Sequence, residues 1–524
     1  MEQNQHADVK QRRVLHPFLF GIFPVLSVFS THVDHVSINE VYLPLTLMLF
    51  ACGVLWLFLR ITLPQRHKRG LGMSLFLFFF WAYGPVIDQV RVVIGQRVVV
   101  GNLVLGVGVL SFGLAVVAGL YVLRRSTYTF EKATSFLNKA SACAVLVALG
   151  TLCFKGSHMG LPASHEESRL PGGPQSQTAA QAPDIYYIIL DAYAREDILR
   201  DLFHYDNGPF LSFLRDRGFY VADKSYSNYP RTLFSLSSSL NMDYLSAGAP
   251  ANESERDFDL RVEEPFRTNK VVAFLEERGY ECVTFTSGYS GTDGMKVDVT
   301  LKPGGLLLGE FDNVLINMTP LRTLLGRTED LSQYAMHRKR ILFTLDRLPK
   351  MERHGRPLFV FAHVTIPHPP FVFDADGKPV HTERPFTVTD GTYFFESGGT
   401  EQEYLSGYTG QLAYVNKRVM RIVDQIIEKS PNAVIMLQGD HGSRLKHTGQ
   451  LGTTDLRESV GILNAYRVPG RDAGKLLYDS ISPVNSFRAI FNAYFGTSYP
   501  LLPDRSFSSE ASNFRLIEIT ERLK

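Results

Sequence analysis

The 524 residues carry 54 Lys and Arg against 52 Asp and Glu, a formal net charge of +2, and 45% are hydrophobic while only 20% are charged. That balance excludes a disordered or polyelectrolyte chain, and without a basic excess there is no surface of the kind nucleic-acid binding needs. The length exceeds one compact core of ordinary size, and the apolar residues crowd into the first 154 positions.

Five apolar stretches open the chain, at 14–30, 41–59, 71–87, 102–123 and 135–154. Each approaches the ~20 residues that cross a hydrocarbon core about 30 Å thick. The second, VYLPLTLMLFACGVLWLFL, has no charge on any face, unlike a core helix with one polar side. The first contains Pro17 and Pro24; a cleaved signal peptide is its alternative reading, but no small-residue cleavage pattern follows it. Lys and Arg mark the non-translocated side. They cluster in the N-terminal tail (Lys10, Arg12, Arg13), the second loop (Arg60, Arg66, Lys68, Arg69) and the fourth (Arg124, Arg125, Lys132). The first loop has neither, and the third only Arg91 and Arg97. The expectation is a multi-pass protein of a bacterial inner (cytoplasmic) membrane with a cytoplasmic N-terminus, placing everything after the fifth span on the periplasmic or extracellular side. Cys52, Cys143 and Cys153 fall in the spans, so Cys282 is the only thiol beyond them and no internal disulfide is available there.

Residues 155–183 form a Pro, Gly, Ser and Gln-rich linker. From 184 to 524 short apolar strands alternate with amphipathic helices, the pattern of an α/β domain with a mostly parallel central sheet. Strand IYYIILDAY is followed by helix PFLSFLRDR, which stops at Gly218 before FYVADKSYS. NKVVAFLEERG, stopping at Gly279, and YECVTFTS repeat the device. Then come RPLFVFAHVTI, a long helix over 403–429, the buried strand NAVIMLQGD and a final helix near 486–495. The apolar segment 301–326 would dock on lipid or line a donor channel, or run buried across the domain.

Polar residues stand where three of these strands stop, and ligands of open α/β sheets gather at strand carboxyl ends. Asp191 closes IYYIIL; His363 and His368 lie in HVTIPHPPF; Asp440 and His441 close VIMLQG. A carboxylate and an imidazole diverging from one tight turn suit Zn²⁺ or Mn²⁺, although a lone Asp at a strand end is often only a helix cap. In SNYPRTLFSLSSSLN, Arg231 introduces Thr232 at the start of a helix, where unpaired N–H groups attract phosphate. The alternative is that Thr232 is merely the cap. His337 and the other scattered His residues read as solvated or locally bonded, and Arg457 and Arg488 as phosphate contacts or, in the plainer reading, helix-face ion pairs.

Asp191, Thr232, HVTIPHPPF and QGDHG, in that order, resemble the alkaline phosphatase superfamily, in its sulfatase-like branch of membrane phosphotransferases. A five-helix anchor followed by an exported domain resembles lipoteichoic acid synthases and phosphoethanolamine transferases. The resemblance implies a divalent metal, Zn or Mn, held by Asp191, Thr232, Asp440 and His441, with Thr232 the covalent nucleophile. It implies that His363 and His368 hold phosphate or move protons, and that His447 and Arg231 contact substrate phosphate. Departures from the family pattern are Asp191, where these transferases often have Glu, and Ser443, where an acidic residue is frequent. The implied reaction moves a phospho-head group from a membrane phospholipid donor to an envelope glycan or lipid acceptor through a phospho-threonine. The alternatives are a phosphoester, phosphodiester or sulfate-ester hydrolase of the same fold, and a catalytically silent glycan-binding or assembly platform. Sulfate-ester chemistry is disfavoured, since Cys282 lacks the C/S-x-P-x-R setting and YPRT has the wrong order.

Overall fold

A computed structural model describes residues 13–31, 38–94, 98–158, 182–245, 262–304, 310–325, 332–382, 384, 386, 393–446, 452, 454–508 and 516–523. They form two compact units, one comprising Met1–Glu167 with Leu308–Ser332, the other Ser168–Leu307 with Gln333–Lys524.

The first unit contains α1 (His16–Thr31), α2 (Ile38–Thr62), α3 (Arg66–Ile94), α4 (Val98–Arg125) and α5 (Glu131–His158). Among the described residues four helices are long and apolar enough to cross a membrane, with spans at Val41–Thr62, Arg66–Val90, Gly106–Arg125 and Glu131–Cys153. The sequence suggested five. The remaining apolar stretch is α1, a shorter apolar helix of 16 residues among the described residues. Phe50, Leu57 and Phe58 on α2 and Leu110, Leu114 and Val117 on α4 point outward, more than half exposed. Surface of that kind is stable against lipid and costly against water. This is a membrane protein.

The second unit is built on a seven-stranded sheet of β1 (Ile185–Leu190), β2 (Phe219–Val221), β3 (Glu281–Phe285), β4 (Val299–Leu301), β5 (Leu358–Val364), β6 (Val434–Gln438) and β7 (Asn464–Arg467), in the order β2-β7-β6-β1-β5-β3-β4. β1 pairs in parallel with both β5 and β6, and β3 with β4 and β5. β7 runs antiparallel to β6 and β2. The apolar runs of β1, β5 and β6 follow from burial on both faces. Tyr186, Ile188 and Leu190 enter one core together with Val360, Ala362, Ile435 and Leu437. Ile185, Tyr187 and Ile189 enter the other with Phe359, Phe361, Val434 and Met436.

The helix Glu401–Lys429 covers the first core, started by a capping box of Thr400 and Glu403. The helices Thr232–Asn241 and Pro483–Phe495 cover the second. Gly218 and Gly279 end their helices with φ of 78° and 79°, a conformation that Cβ penalises in other residues. β4 and β7 are too short or too polar to stand out in the sequence, and the expected strand from Phe219 shrinks to three residues at the sheet edge.

Candidate metal centre

Parallel pairing of β1 with β5 and β6 brings the carboxyl ends of three strands side by side, and the polar residues that close them converge there. Asp191 follows β1, His363 lies within β5, His368 follows it, and Asp440 and His441 follow β6. All five are buried. Donor atoms of Asp191, His368 and His441 lie within 4.8 Å of one another, as do those of Asp191, His363 and Asp440.

The imidazoles are held in defined tautomers. His441 Nδ1 donates to the Gly442 carbonyl at 2.7 Å, and His368 Nδ1 to that of Pro369. Each ring keeps an Nε2 lone pair. His441 Nε2 lies 3.5 Å from Asp191 Oδ1 and 3.6 Å from Asp440 Oδ2. Those two buried oxygens accept no hydrogen bond. Burial would push the Asp191 carboxyl up, but His368, His363 and His441 outweigh it and hold it well below the usual carboxylate range. Buried carboxylate oxygens left unpaired cost free energy unless something cationic meets them, so the donor set fits a divalent metal.

His363 is engaged at both nitrogens, Nε2 with Asp191 Oδ2 at 3.1 Å and Nδ1 with Thr292 Oγ1 at 2.9 Å. Thr292 leads on to Ser287 Oγ at 3.0 Å, which donates to Asp293 Oδ1 at 2.8 Å. Burial lowers the His363 proton affinity, and the bond to Asp191 overcomes this and raises it.

The loop after β6 is braced from below by the buried Glu458. Its Oε1 accepts from Ser443 Oγ and Leu445 N, both at 2.6 Å, and its Oε2 from Lys446 N at 2.7 Å. Burial pushes its carboxyl up against these donors, yet two backbone N–H groups facing it favour the ionised form. Glu458 thus brings a carboxylate beside Ser443, the position where the sequence lacks one. Gly442 is required here, since a Cβ would come within 1.8 Å of the Glu458 carbonyl oxygen.

Thr232 is the first residue of its helix and half-buried, while Arg231 takes the cap position. The capping alternative for Thr232 is therefore corrected. Its loop is tied to the metal-centre loop by the buried Arg444, whose Nη2 donates to the Pro230 carbonyl. Arg231 lies over the Phe234 ring at 5.5 Å. His447 falls outside the described residues.

Of the two readings of His337, solvated or locally bonded, the first is corrected: it is buried with Nε2 3.5 Å from Thr365 Oγ1, and burial drops its pKa to about 3. Arg457 pairs with Asp197 at 2.8 Å, whereas Arg488 bonds the carbonyls of Met242 and Pro500 instead of an acid. Cys282 is buried in β3 with its thiol pushed up to about 12 by burial. Thr292, Asp293, Arg444 and Glu458 were not singled out by the sequence. The first two had a signal, a Gly-rich turn (SGYSGTDG) after the strand neighbouring β5.

Carboxylates and imidazoles gathered at the ends of parallel strands, with unpaired buried oxygens between them, define an α/β metalloenzyme of the phosphotransferase or hydrolase class. The family model described as Sulfatase matches residues 183–470, more than half of the chain, and the chain belongs to that family. No curated protein matches it. Among solved structures it is similar to the C-terminal periplasmic domain of EcEptC from Escherichia coli in complex with Zn, with 12% identity, 64% of this chain and 92% of that one covered, and a TM-score of 0.42. It is also similar to the integral membrane lipooligosaccharide phosphoethanolamine transferase A of Neisseria meningitidis (14% identity, 91% and 95% covered, TM-score 0.38). The lipoteichoic acid synthase LtaP of Listeria monocytogenes is similar at 11% identity, with 60% and 72% covered and a TM-score of 0.37.

Proposed function

We propose that this protein is a membrane-anchored phosphotransferase that moves a phospho-head group from a phospholipid to an envelope glycan or lipid through Thr232. The observation that carries this reading is the convergence of Asp191, Asp440 and His441, with unpaired oxygens, where the loop bearing Asp440 and His441 is tied by Arg444 to the Thr232 turn. Asp191, Asp440 and His441 would hold the metal with Thr232, and the oxygen and nitrogen donors suit Zn²⁺ or Mn²⁺. When bound, such an ion lowers the proton affinity of a hydroxyl and offsets charge on phosphoryl oxygens.

The residues themselves divide the remaining work. Thr232 Oγ forms the new bond to phosphorus as the ester oxygen of the lipid departs with its electron pair. The helix N-terminus behind Thr232 favours the phosphoryl oxygens. His368, with its Nε2 lone pair, receives the proton and returns it to the leaving alcohol. An acceptor hydroxyl then displaces Thr232 from phosphorus, reversing the proton transfer. His363, occupied at both nitrogens, is a positioning residue that orients Asp191. The sulfate-ester alternative is further disfavoured by Cys282, buried in β3. Lys and Arg in the loops support a catalytic unit on the periplasmic or extracellular face of the inner membrane.

Intact mass of the full-length protein, wild type and Thr232→Ala, after incubation with bacterial phospholipids and Zn²⁺ or Mn²⁺ tests the reading. A head-group phosphate adduct on the wild type alone is expected. A Thr232→Ala protein that still turns over phospholipid would overturn it.

A further inference from the structure

Residues 310–325 interrupt the catalytic unit between β4 and the helix Gln333–Arg347, yet Leu308–Ser332 belongs to the membrane unit. The sequence offered the apolar stretch 301–326 as a lipid-docking element, as the lining of a donor channel or as an excursion buried across the domain; among its described residues, Phe311, Leu315, Thr319 and Thr323 are buried, while Leu321 is exposed. Its two helices are Glu310–Asn317 and Leu321–Leu325. Phe311 and Leu315 are buried in one cluster with Val25 and Phe29 of α1, Val41 of α2 and Trp81 of α3.

Directional contacts fix the register of this packing. Gly84 N in α3 donates to the Met318 carbonyl at 2.9 Å, an approach so close that a Cβ on Gly84 would lie 2.1 Å from the Asn317 carbonyl oxygen. Tyr83 Oη and Thr323 Oγ1, both buried, are 2.9 Å apart. Arg322 meets both carboxylate oxygens of Asp88, at 2.8 and 3.1 Å. An Asp in an apolar helix needs such a partner, and a bidentate guanidinium supplies it with fixed geometry. All these α3 residues stand in the half away from Arg66, Lys68 and Arg69.

We propose that residues 310–325 are a membrane-gripping arm: a second, noncovalent attachment by which the catalytic unit stays at the membrane independently of the linker. A surface domain on a flexible linker alone would be released when the linker is cut. One whose own chain loops back into the helical unit would remain. The inference concerns attachment only, so it stands or falls separately from the phosphotransfer chemistry.

The test uses the full chain in membranes, with a protease site inserted between residues 175 and 176 and a C-terminal tag. After complete cleavage and a high-salt wash, the wild-type C-terminal fragment is expected in the membrane pellet. Gly84→Val should raise the released fraction on the order of tenfold through the clash with the Asn317 carbonyl. Because Gly84→Val alone can misfold the helices, the charge pair supplies a second arm of the test. Asp88→Arg and Arg322→Asp should each increase release, and the double reversal should restore retention. Limited proteolysis of the released fragment checks that it is still folded. Release of the wild-type fragment overturns the proposal, and so does equal retention of the wild type and all arm variants.

Discussion

Replacing Glu458 by Ala removes the acceptor for two buried donors, Ser443 Oγ and Leu445 N, both at 2.6 Å, and for the part-buried Lys446 N at 2.7 Å. A buried donor left unpaired costs about 1–3 kcal/mol. The Ser443 hydroxyl can rotate to another acceptor and water can reach the part-buried Lys446 N, but Leu445 N has no alternative, so the loss should be about 2–4 kcal/mol. That is a large share of a typical total of 5–15 kcal/mol, and it falls on the loop that carries Asp440 and His441. The variant should melt roughly 5–15 °C lower by calorimetry and bind Zn²⁺ about 10–100-fold more weakly in a chelator competition. Glu458→Gln keeps one oxygen for Ser443 and Leu445 but turns an N–H₂ toward Lys446 N, so it should fall between Ala and wild type. If Glu458→Ala matched the wild type in both melting temperature and metal affinity, the bracing role would be refuted.

Gly442→Ala should abolish metal binding outright, because its Cβ would meet the Glu458 carbonyl at 1.8 Å and backbone must move; retention of stoichiometric metal by elemental analysis would contradict this. Cys282→Ala should lose about 1 kcal/mol of stability and keep full turnover, since the thiol is buried in β3 and pushed up to about 12; a folded but inactive variant would reopen thiol-derived chemistry.

Much of the candidate site could be read from strand ends alone. An apolar run that stops at a charged residue is legible because burial on both faces forbids polar residues until the strand leaves the sheet, which is how Asp191, Asp440 and His441 stood out. Thr232 was legible as a helix start, but not as the residue after the cap, because cap and first turn differ by one residue and one backbone angle. Glu458 was illegible: it lies 15 residues beyond Ser443 and earns its role only when the chain folds back. His337 shows the converse, a side chain whose sequence left solvated and locally bonded readings open until the helix Gln333–Arg347 packed it inward.

The same division holds for the chain as a whole. Composition and hydropathy by themselves determined that one part of this protein meets lipid and another water, because transfer of apolar surface is nearly additive along the chain. Alternation of strand and helix determined the α/β class, because those periods are local. Where the apolar helices begin and end, which strands lie antiparallel at the sheet edge, and which face residues 310–325 bury were decided only by tertiary structure. Those outcomes depend on contacts between residues far apart in sequence, and no local pattern encodes the partner.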